Sequence, residues 1–226
     1  MDISDLHPWD VTYKEAVKIQ KELKDKVVLK NIDKRIRYVA GLDVSYAKGS
    51  NIMWAGVVVL DFPALNKTEE RWSQKKVCFP YIPGLLSFRE IPALLEALRK
   101  IEIKPDLILC DGQGIAHPRG LGLASHLGII LNKPTIGCAK SRLLGTYNQV
   151  GERKGDYAYL TYNNRVIGAV VRTRSKVKPI FVSPGYGIML TDCIRFVLET
   201  CSTYRIPEPT RQAHLLVNSV RCGVRS

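Results

Sequence analysis

Hydrophobic and polar residues near the N-terminus form the pattern of a charged amphipathic helix. Val17, Leu23 and Val27 are apolar positions in a segment rich in lysine and glutamate, which predicts a helix over residues 9–29. Asp10 stands at the start of this segment and is expected to cap the helix through its carboxylate.

Three strand-like runs come next. Apolar residues dominate the first two runs, the third alternates more weakly, and a polar turn at residues 48–51 separates the first pair. The runs cover residues 37–46, 52–62 and 67–79. Strands that follow one another through short turns predict an antiparallel meander.

Strand and helix patterns alternate in the rest of the chain. Strands are expected at residues 106–111, 135–138, 157–162 and 166–171, and helices at residues 90–100, 121–131, 188–203 and 209–221. The first of these strands is apolar throughout, which is typical of a strand covered on both faces. A meander followed by β-α-β units predicts an α/β fold with a mixed central sheet flanked by helices, in one domain over residues 1–226.

The charge balance points to a polyanionic partner. The 226 residues include 34 lysines and arginines against 21 acidic residues, a net charge of +13, which favours nucleic acid over an anionic membrane surface. A hydrophobic content of 46% excludes a disordered chain, and no apolar run is long enough for a spanning helix. The acidic start lacks a signal-peptide pattern, and six cysteines without a C-x-x-C pair indicate free thiols in a reducing compartment. We therefore expect a cytoplasmic protein with no membrane partner.

Two aspartates at strand ends are the first candidate functional residues. Asp43 lies in the first expected strand, where Gly41 and Ser45 share its face and leave room around the carboxylate. Asp111 ends an apolar strand and precedes a glycine-rich loop, the place where open α/β sheets form their sites. If the two strands are parallel neighbours, both carboxylates face one crevice and suit Mg²⁺, which prefers hard oxygen ligands. A turn or helix cap is the structural alternative for either residue alone.

Glu90 has two interpretations. Ser87 and Glu90 fit a capping box, which would make the glutamate purely structural. Pro92, however, would lie too far inside a helix capped at Ser87, so the helix is expected to begin nearer Arg89 and to leave Glu90 able to reach the crevice.

Two loops add candidates for ligand contact. The loop at residues 111–120 contains glycines that allow close approach of a ligand, with His117 and Arg119 beside a helix start that could hold a phosphate. The loop at residues 80–84 holds Tyr81 and Ile82 between prolines, so they could form an apolar wedge that unstacks bases, or could pack on the core.

Basic residues and one histidine complete the set. Lys140 and Arg142 follow a short strand on the same edge of the expected sheet as Asp111, where a lysine can bind phosphate or offset charge. The run at residues 172–178 holds four positive charges and suits a solvated loop or a phosphate backbone. His214 lies on the last expected helix, where by itself it fits a core or surface position.

In this order, the segments resemble the endonuclease V family, which has a ribonuclease H-like fold. The resemblance extends from about Trp9 to Arg221 and rests on the motifs at residues 39–45, 80–84, 88–92, 111–120 and 137–140. It implies a DNA repair endonuclease that recognises deoxyinosine and hydrolyses the second phosphodiester bond 3′ of the lesion. The products would carry 3′-hydroxyl and 5′-phosphate ends.

The resemblance also implies roles for individual residues. Asp43, Glu90 and Asp111 would bind Mg²⁺, for which Mn²⁺ could substitute, in metal-assisted hydrolysis. Lys140 would offset charge on the phosphate, His117 would contact DNA or assist proton transfer, and His214 would support the same site from a position where relatives of the fold often carry another acid. The DNA contacts are expected from Tyr81, Ile82, Pro83, Gly112, Gly114, His117, Arg119, Gly137, Cys138, Lys140 and Arg142.

The expected partner of this monomer is DNA containing deoxyinosine, with inosine-containing RNA as a further substrate. Two alternatives to this interpretation stay open. Another ribonuclease H-like nuclease, acting on such RNA or on branched DNA, would share the carboxylates. A non-catalytic nucleic-acid-binding protein would need only the positive charge.

Overall fold

A mixed β-sheet runs through the centre of the protein. The computed structural model describes residues 3–47 and 49–223, so Lys48 of the expected first turn lies outside the described residues. The strands are β1 (Tyr38–Tyr46), β2 (Ile52–Asp61), β3 (Lys67–Lys76), β4 (Leu107–Cys110), β5 (Thr135–Ala139), β6 (Tyr157–Tyr162), β7 (Arg165–Val171) and β8 (Ile180–Tyr186). The helices are α1 (Tyr13–Lys24), α2 (Leu86–Arg99), α3 (Leu123–Leu131), α4 (Leu190–Glu199) and α5 (Glu208–Arg221).

The strand order combines a meander with parallel pairs. Within the described residues the sheet has the order β3-β2-β1-β4-β5-β8-β7-β6. The first three strands pair antiparallel, whereas β1–β4 and β4–β5 pair parallel through the helical connections α2 and α3. The predicted α/β class with a mixed sheet is therefore confirmed.

Strand β8 is an element that the sequence pattern did not predict. It contains Pro184 and Gly185, residues typical of loops, and yet it lies between β5 and β7 and pairs antiparallel with both. Pro184 pairs with Ile136 beside a register shift in the ladder. Proline has no N–H to donate, so it fits best where the ladder is irregular.

Helices cover both faces of the sheet because β1 alternates its apolar side chains between them. Val39 belongs to the core on the face covered by α4 and α5, where Phe196 and Leu216 also pack. Ala40 belongs to the core on the opposite face, together with Leu94 of α2. Among the described residues, no helix has the length and apolar character needed to cross a membrane.

Two helix starts differ from the expected ones. Helix α1 is capped by Thr12, which forms a complete capping box with Glu15, so the prediction of an Asp10 cap is wrong. Helix α2 has Leu85 at its N-cap and contains Pro92, so a start near Arg89 was also wrong. The burial of several apolar α2 side chains supports the helix across its proline.

Helix α5 reaches the candidate site because it packs directly on β1. A Cβ atom at Gly41 would lie only 1.9 Å from the backbone of Pro209, so the absence of a side chain permits this close contact. The room that the sequence suggested around Asp43 is thus filled by α5, which brings His214 beside the strand.

Candidate active site

Asp43 and Asp111 meet at the carboxyl ends of two parallel neighbouring strands. The register of β1 and β4 pairs Leu42 with Cys110, and the N–H of Asp111 donates to the Leu42 carbonyl at 3.4 Å. Both aspartates line one cleft with a volume of about 490 Å³. The structure therefore has the strand arrangement that the sequence hypothesis required for the two carboxylates to share a crevice.

Glu90 enters the same cleft from α2. Its side chain is partly buried, and burial, together with the negative charges of Asp43 and Asp111, raises the pKa of Glu90 to about 8. The neighbouring Arg89 opposes this shift without cancelling it. Three carboxylates thus share the cleft, and a divalent cation bound among them would stabilise their ionised forms.

Asp43 is held from the opposite side by His214. The ring Nδ1 of this histidine lies 2.7 Å from the carboxylate Oδ2, and the N–H of Val44 donates to Oδ1 at 2.8 Å. Burial and the charge of Asp111 raise the pKa of Asp43, while these two hydrogen bonds act against the rise. His214 is thus part of the candidate site, and its exposed ring faces solvent.

Lys140 places a positive charge beside the second aspartate, Asp111. Its ammonium group contacts Oδ2 of Asp111, and Lys140 and Arg142 both line the cleft. Across the described part of the chain, no three metal-ligating side chains already form a closed cluster. The donor set nevertheless fits Mg²⁺, because three carboxylates line one cleft and Mg²⁺ prefers oxygen ligands. One of the three, Asp111, is also paired with the Lys140 ammonium group.

His117 and Arg119 brace the neighbouring loop. Nε2 of His117 donates to the Gly84 carbonyl at 3.0 Å, Nδ1 accepts from the N–H of Arg119 at 3.2 Å, and the Arg119 guanidinium donates to the same carbonyl at 2.6 Å. Burial and the charge of Arg119 lower the pKa of His117 to about 4. Both ring nitrogens are engaged, which disfavours proton transfer by His117, and DNA contact by either residue stays a prediction.

The loop before α2 presents one aromatic side chain. Tyr81 is 63% exposed and lines the cleft together with Pro83. Ile82 instead packs against the buried cluster that contains Phe79 and Phe88. Of the two alternatives that the sequence left open, Ile82 takes core packing, because burial stabilises its apolar side chain, whereas Tyr81 projects into solvent.

The glycine-rich segments contribute unequally. Gly112 lines the cleft, but Gly114, Gly137 and Cys138 do not. The N–H of Gly114 donates to the Ser183 hydroxyl at 2.8 Å, and a Cβ at Gly137 would lie 2.3 Å from that same nitrogen. Cys138 is buried in the core. These three residues support the floor of the cleft from behind, and their contact with a base stays a prediction.

The sequence reasoning missed Asn218 and recognised Ser45 only as a small residue on the face of Asp43. Asn218 contacts the His214 ring, and the Ser45 hydroxyl donates to the Asn218 carboxamide at 3.1 Å. A spacing of four along a helix places Asn218 on the same face as His214, which is the signal that could have identified it.

Comparisons with known proteins identify the family of the chain. A sequence profile described as Endonuclease V matches residues 21–215. The chain belongs to the endonuclease V family. Endonuclease V of Trichormus variabilis is 49% identical over 220 residues, which is 97% of this chain and 100% of that protein.

Solved structures of the endonuclease V family are similar throughout. The match to endonuclease V from Streptomyces avermitilis has a TM-score of 0.91 at 40% identity and covers 96% of this chain and 96% of that chain. Ciona intestinalis endonuclease V, in complex with a 24mer DNA containing an inosine followed by a ribo-adenosine, has a TM-score of 0.82 at 30% identity. That match covers 94% of this chain and 98% of the Ciona chain. The predicted family, its nuclease class and the ribonuclease H-like fold are confirmed.

Proposed function

We propose that the chain is a Mg²⁺-dependent endonuclease that hydrolyses the second phosphodiester bond 3′ of a deoxyinosine in DNA. Cleavage leaves a 3′-hydroxyl and a 5′-phosphate. The observation that carries the proposal is the convergence of Asp43, Glu90 and Asp111 on one cleft of a strongly basic protein. The complex of the Ciona relative with inosine-containing DNA supports the choice of lesion.

The metal is assigned by the chemistry of the donors. Asp43, Glu90 and Asp111 would hold Mg²⁺, and Mn²⁺ is expected to substitute because it also accepts oxygen ligands. A metal held by these three carboxylates would supply Lewis-acid polarisation of the scissile phosphate and would make water a better nucleophile. The raised pKa of Glu90, which follows from its burial and from the charges of Asp43 and Asp111, supports this assignment, because a cation beside it would stabilise the ionised carboxylate.

Residues of the chain orient the substrate and offset its charge. Lys140 lies at the cleft beside Asp111 and can contact a phosphate oxygen there, which would stabilise the negative charge that develops during hydrolysis. His214 fixes the carboxylate of Asp43 from the far side. Tyr81 projects over the cleft mouth, in a position to stack on a base next to the lesion.

The cleft is also suited to hold a single base. Its volume of about 490 Å³ lies within the usual range for ligand pockets. Hypoxanthine presents an oxygen acceptor and a ring N–H where adenine presents an amino group and an acceptor. Backbone groups near Gly112 could distinguish these edges, because the wrong base would leave buried polar groups without partners.

Cleavage mapping tests the proposal. A 5′-labelled duplex with one deoxyinosine is incubated with the protein and Mg²⁺, and the product is sized against a ladder of the same strand. We expect one cut at the second bond 3′ of the lesion, which Asp43→Asn and Asp111→Asn abolish while DNA binding persists. Tyr13→Ala, an exposed change on α1, serves as control. Equal cutting of the deoxyadenosine duplex would overturn the proposal.

Inosine-containing RNA is a second candidate substrate. The ribo-adenosine that follows the inosine in the Ciona complex favours testing it. The same assay with an inosine RNA strand and with a four-way DNA junction ranks the substrates by initial rate. Cleavage of the junction alone would contradict both inosine proposals. Action in the cytoplasm as a monomer stays a prediction.

A further inference from the structure

Positive charge is concentrated in one segment of the chain. Residues 140–178 contain nine lysines and arginines but two acidic residues, so about a sixth of the sequence holds more than half of its net charge of +13. Among the residues that the structure describes, Lys140 is the one basic side chain of this segment that pairs with a carboxylate. Such an excess of uncompensated positive charge is typical of a surface that binds phosphates.

Part of this charge has a structural role. The guanidinium of Arg172 donates to the carbonyls of Val150, Gly151 and Val177 and so holds its own loop together. The other three basic residues of the run at residues 172–178 are exposed. The run begins directly after Val171, which pairs with Tyr157 across β7 and β6, and its first exposed charge, Arg174, follows three positions later.

Exposed tyrosines line a groove at the same edge of the sheet. Tyr157 and Tyr159 are 46% and 48% exposed, alternate residues that share one face of β6, and their rings are 5.6 Å apart. Tyr147, which is 40% exposed, lies across from them. The groove has a volume of about 620 Å³ and is called the tyrosine groove below. It is lined by Thr146, Tyr147, Asn148, Gln149, Tyr157, Ala158, Tyr159, Thr161 and Val166.

The tyrosine groove is connected to the candidate active site. Arg142 lines the catalytic cleft, and its guanidinium lies 5.9 Å from the centre of the Tyr147 ring. Leu143, also in the cleft lining, is 46% exposed and follows Arg142 directly in the chain. A strand leaving the cleft past Lys140 therefore meets a basic side chain and then a row of aromatic rings.

The edge of β6 is poorly suited to strand addition by a second copy of the chain. Thr146 and Thr161 exchange both backbone hydrogen bonds at 2.8 Å, which covers part of this edge. The surrounding positive charge would also repel an identical surface. Charge complementarity instead favours a polyanion with flat apolar groups, which is the chemistry of unpaired nucleotides.

We propose that the tyrosine groove binds unpaired nucleotides that flank the cleavage site. Bases stack on Tyr157 and Tyr159, while Arg174, Lys176 and Lys178 contact the phosphates. Stacking on aromatic rings accepts any base, so the groove adds affinity for single strands without adding sequence preference. This inference rests on the proposed nuclease function, because it extends the substrate path that begins at the catalytic cleft.

Binding to single strands of increasing length tests the groove. Fluorescently labelled oligonucleotides of about 10, 20 and 30 nucleotides, each with one deoxyinosine near one end, are titrated with the protein in EDTA to prevent cleavage. We expect affinity to rise with length for the wild-type chain. Tyr157→Ala/Tyr159→Ala should weaken binding of the longest strand about tenfold, while the shortest strand binds as before.

Matched variants separate stacking from other effects. Tyr157→Phe/Tyr159→Phe keeps the rings and should keep the gain with length, and Tyr13→Ala removes a similarly exposed tyrosine elsewhere and should change nothing. A complementary strand over the flanking nucleotides should remove the difference between wild type and the double alanine variant. The proposal is overturned if the alanine variant binds every length like wild type, or loses equal affinity at all lengths. A change in sedimentation that shows loss of a dimer would also overturn it.

Cleavage of the shortest strand in Mg²⁺ distinguishes this proposal from the function it extends. The double alanine variant should cut that strand at the wild-type rate, since the strand is too short to reach the groove. If the wild-type chain cuts no inosine strand, the proposed function fails, whereas the length series still decides whether the tyrosine groove binds unpaired nucleotides.

Discussion

The Nδ1 atom of His214 lies 2.7 Å from Oδ2 of Asp43. The other ring nitrogen, Nε2, lies 3.0 Å from the carboxamide nitrogen of Asn218. That nitrogen also donates to the His214 backbone carbonyl at 3.0 Å, while the amide oxygen accepts from the Ser45 hydroxyl, so the amide has one orientation. Nε2 therefore accepts a hydrogen bond, and Nδ1–H donates to Asp43.

Asn218 should act as a positioning residue. In Asn218→Ala, the His214 ring loses the donor that fixes its tautomer, and we expect kcat on inosine DNA to fall about 10- to 100-fold with little change in KM. Steady-state kinetics measures this split, and the ¹⁵N chemical shifts of His214 report the tautomer. Ser219→Ala, the next residue on α5, is the control. Unchanged kcat together with unchanged shifts would contradict the role.

Lys140 should have opposite effects on metal binding and on catalysis. Its ammonium group pairs with Asp111, so an incoming cation competes with it. We expect Lys140→Gln to bind Mg²⁺ severalfold more tightly by calorimetry, yet to cleave about 100-fold more slowly because charge on the phosphate is no longer offset. Lys18→Gln, an exposed change on α1, should alter neither quantity. Weaker Mg²⁺ binding by Lys140→Gln would sink this account.

Substitution of two neighbouring residues in the loop before α2 should affect different properties, DNA binding for Tyr81 and stability for Ile82. Tyr81 is exposed, so Tyr81→Ala should leave the free energy of unfolding unchanged but reduce the ratio of inosine to normal DNA binding. Ile82 packs on the core, so Ile82→Ala should lower the free energy of unfolding by about 1–3 kcal/mol. Urea unfolding and competition binding measure the two effects. An unchanged binding ratio in Tyr81→Ala would count against the wedge.

The buried His126 should make the protein sensitive to acid. Its Nδ1 contacts the Ser87 hydroxyl at 3.1 Å and its Nε2 lies 2.7 Å from Nε2 of His7, and burial lowers the pKa of His126 to about 3. The unfolded chain binds this proton near pH 6.5, whereas the folded chain does so only near pH 3. The contribution of neutral His126 to the free energy of unfolding is therefore complete above about pH 6.5 and is lost as the pH falls towards 3.

Urea unfolding across this pH window checks the effect of His126. The slope of the unfolding free energy against pH gives the number of protons that the chain takes up on unfolding. This number should be smaller by about one in His126→Gln than in the wild-type chain. Tyr13→Ala should keep the wild-type slope. Identical slopes in His126→Gln and wild type would show that the pKa of His126 is the same in the folded and unfolded states, which would contradict this prediction.

The sequence by itself determined strands β1 to β7 and the residues at their ends. The pattern of apolar residues along a strand depends on which faces the strand buries, so it can be read from the residues themselves. This holds for the alternation in β1 and for the continuous apolar run of β4. For the same reason, Asp43 and Asp111 could be placed at one crevice once their strands were taken as parallel neighbours. The motifs around Glu90 and Lys140 pointed to the family.

Tertiary structure decided what depends on distant parts of the chain. Strand β8 contains proline and glycine and becomes a strand only because β5 and β7 supply its partners. Ile82 packs inward because a core formed with Phe79 and Phe88 accepts its side chain, a choice that the sequence left open. His214 reaches Asp43 across 171 positions of sequence because α5 packs on Gly41. No local pattern encodes these contacts, since each depends on surfaces that come together only when the chain has folded.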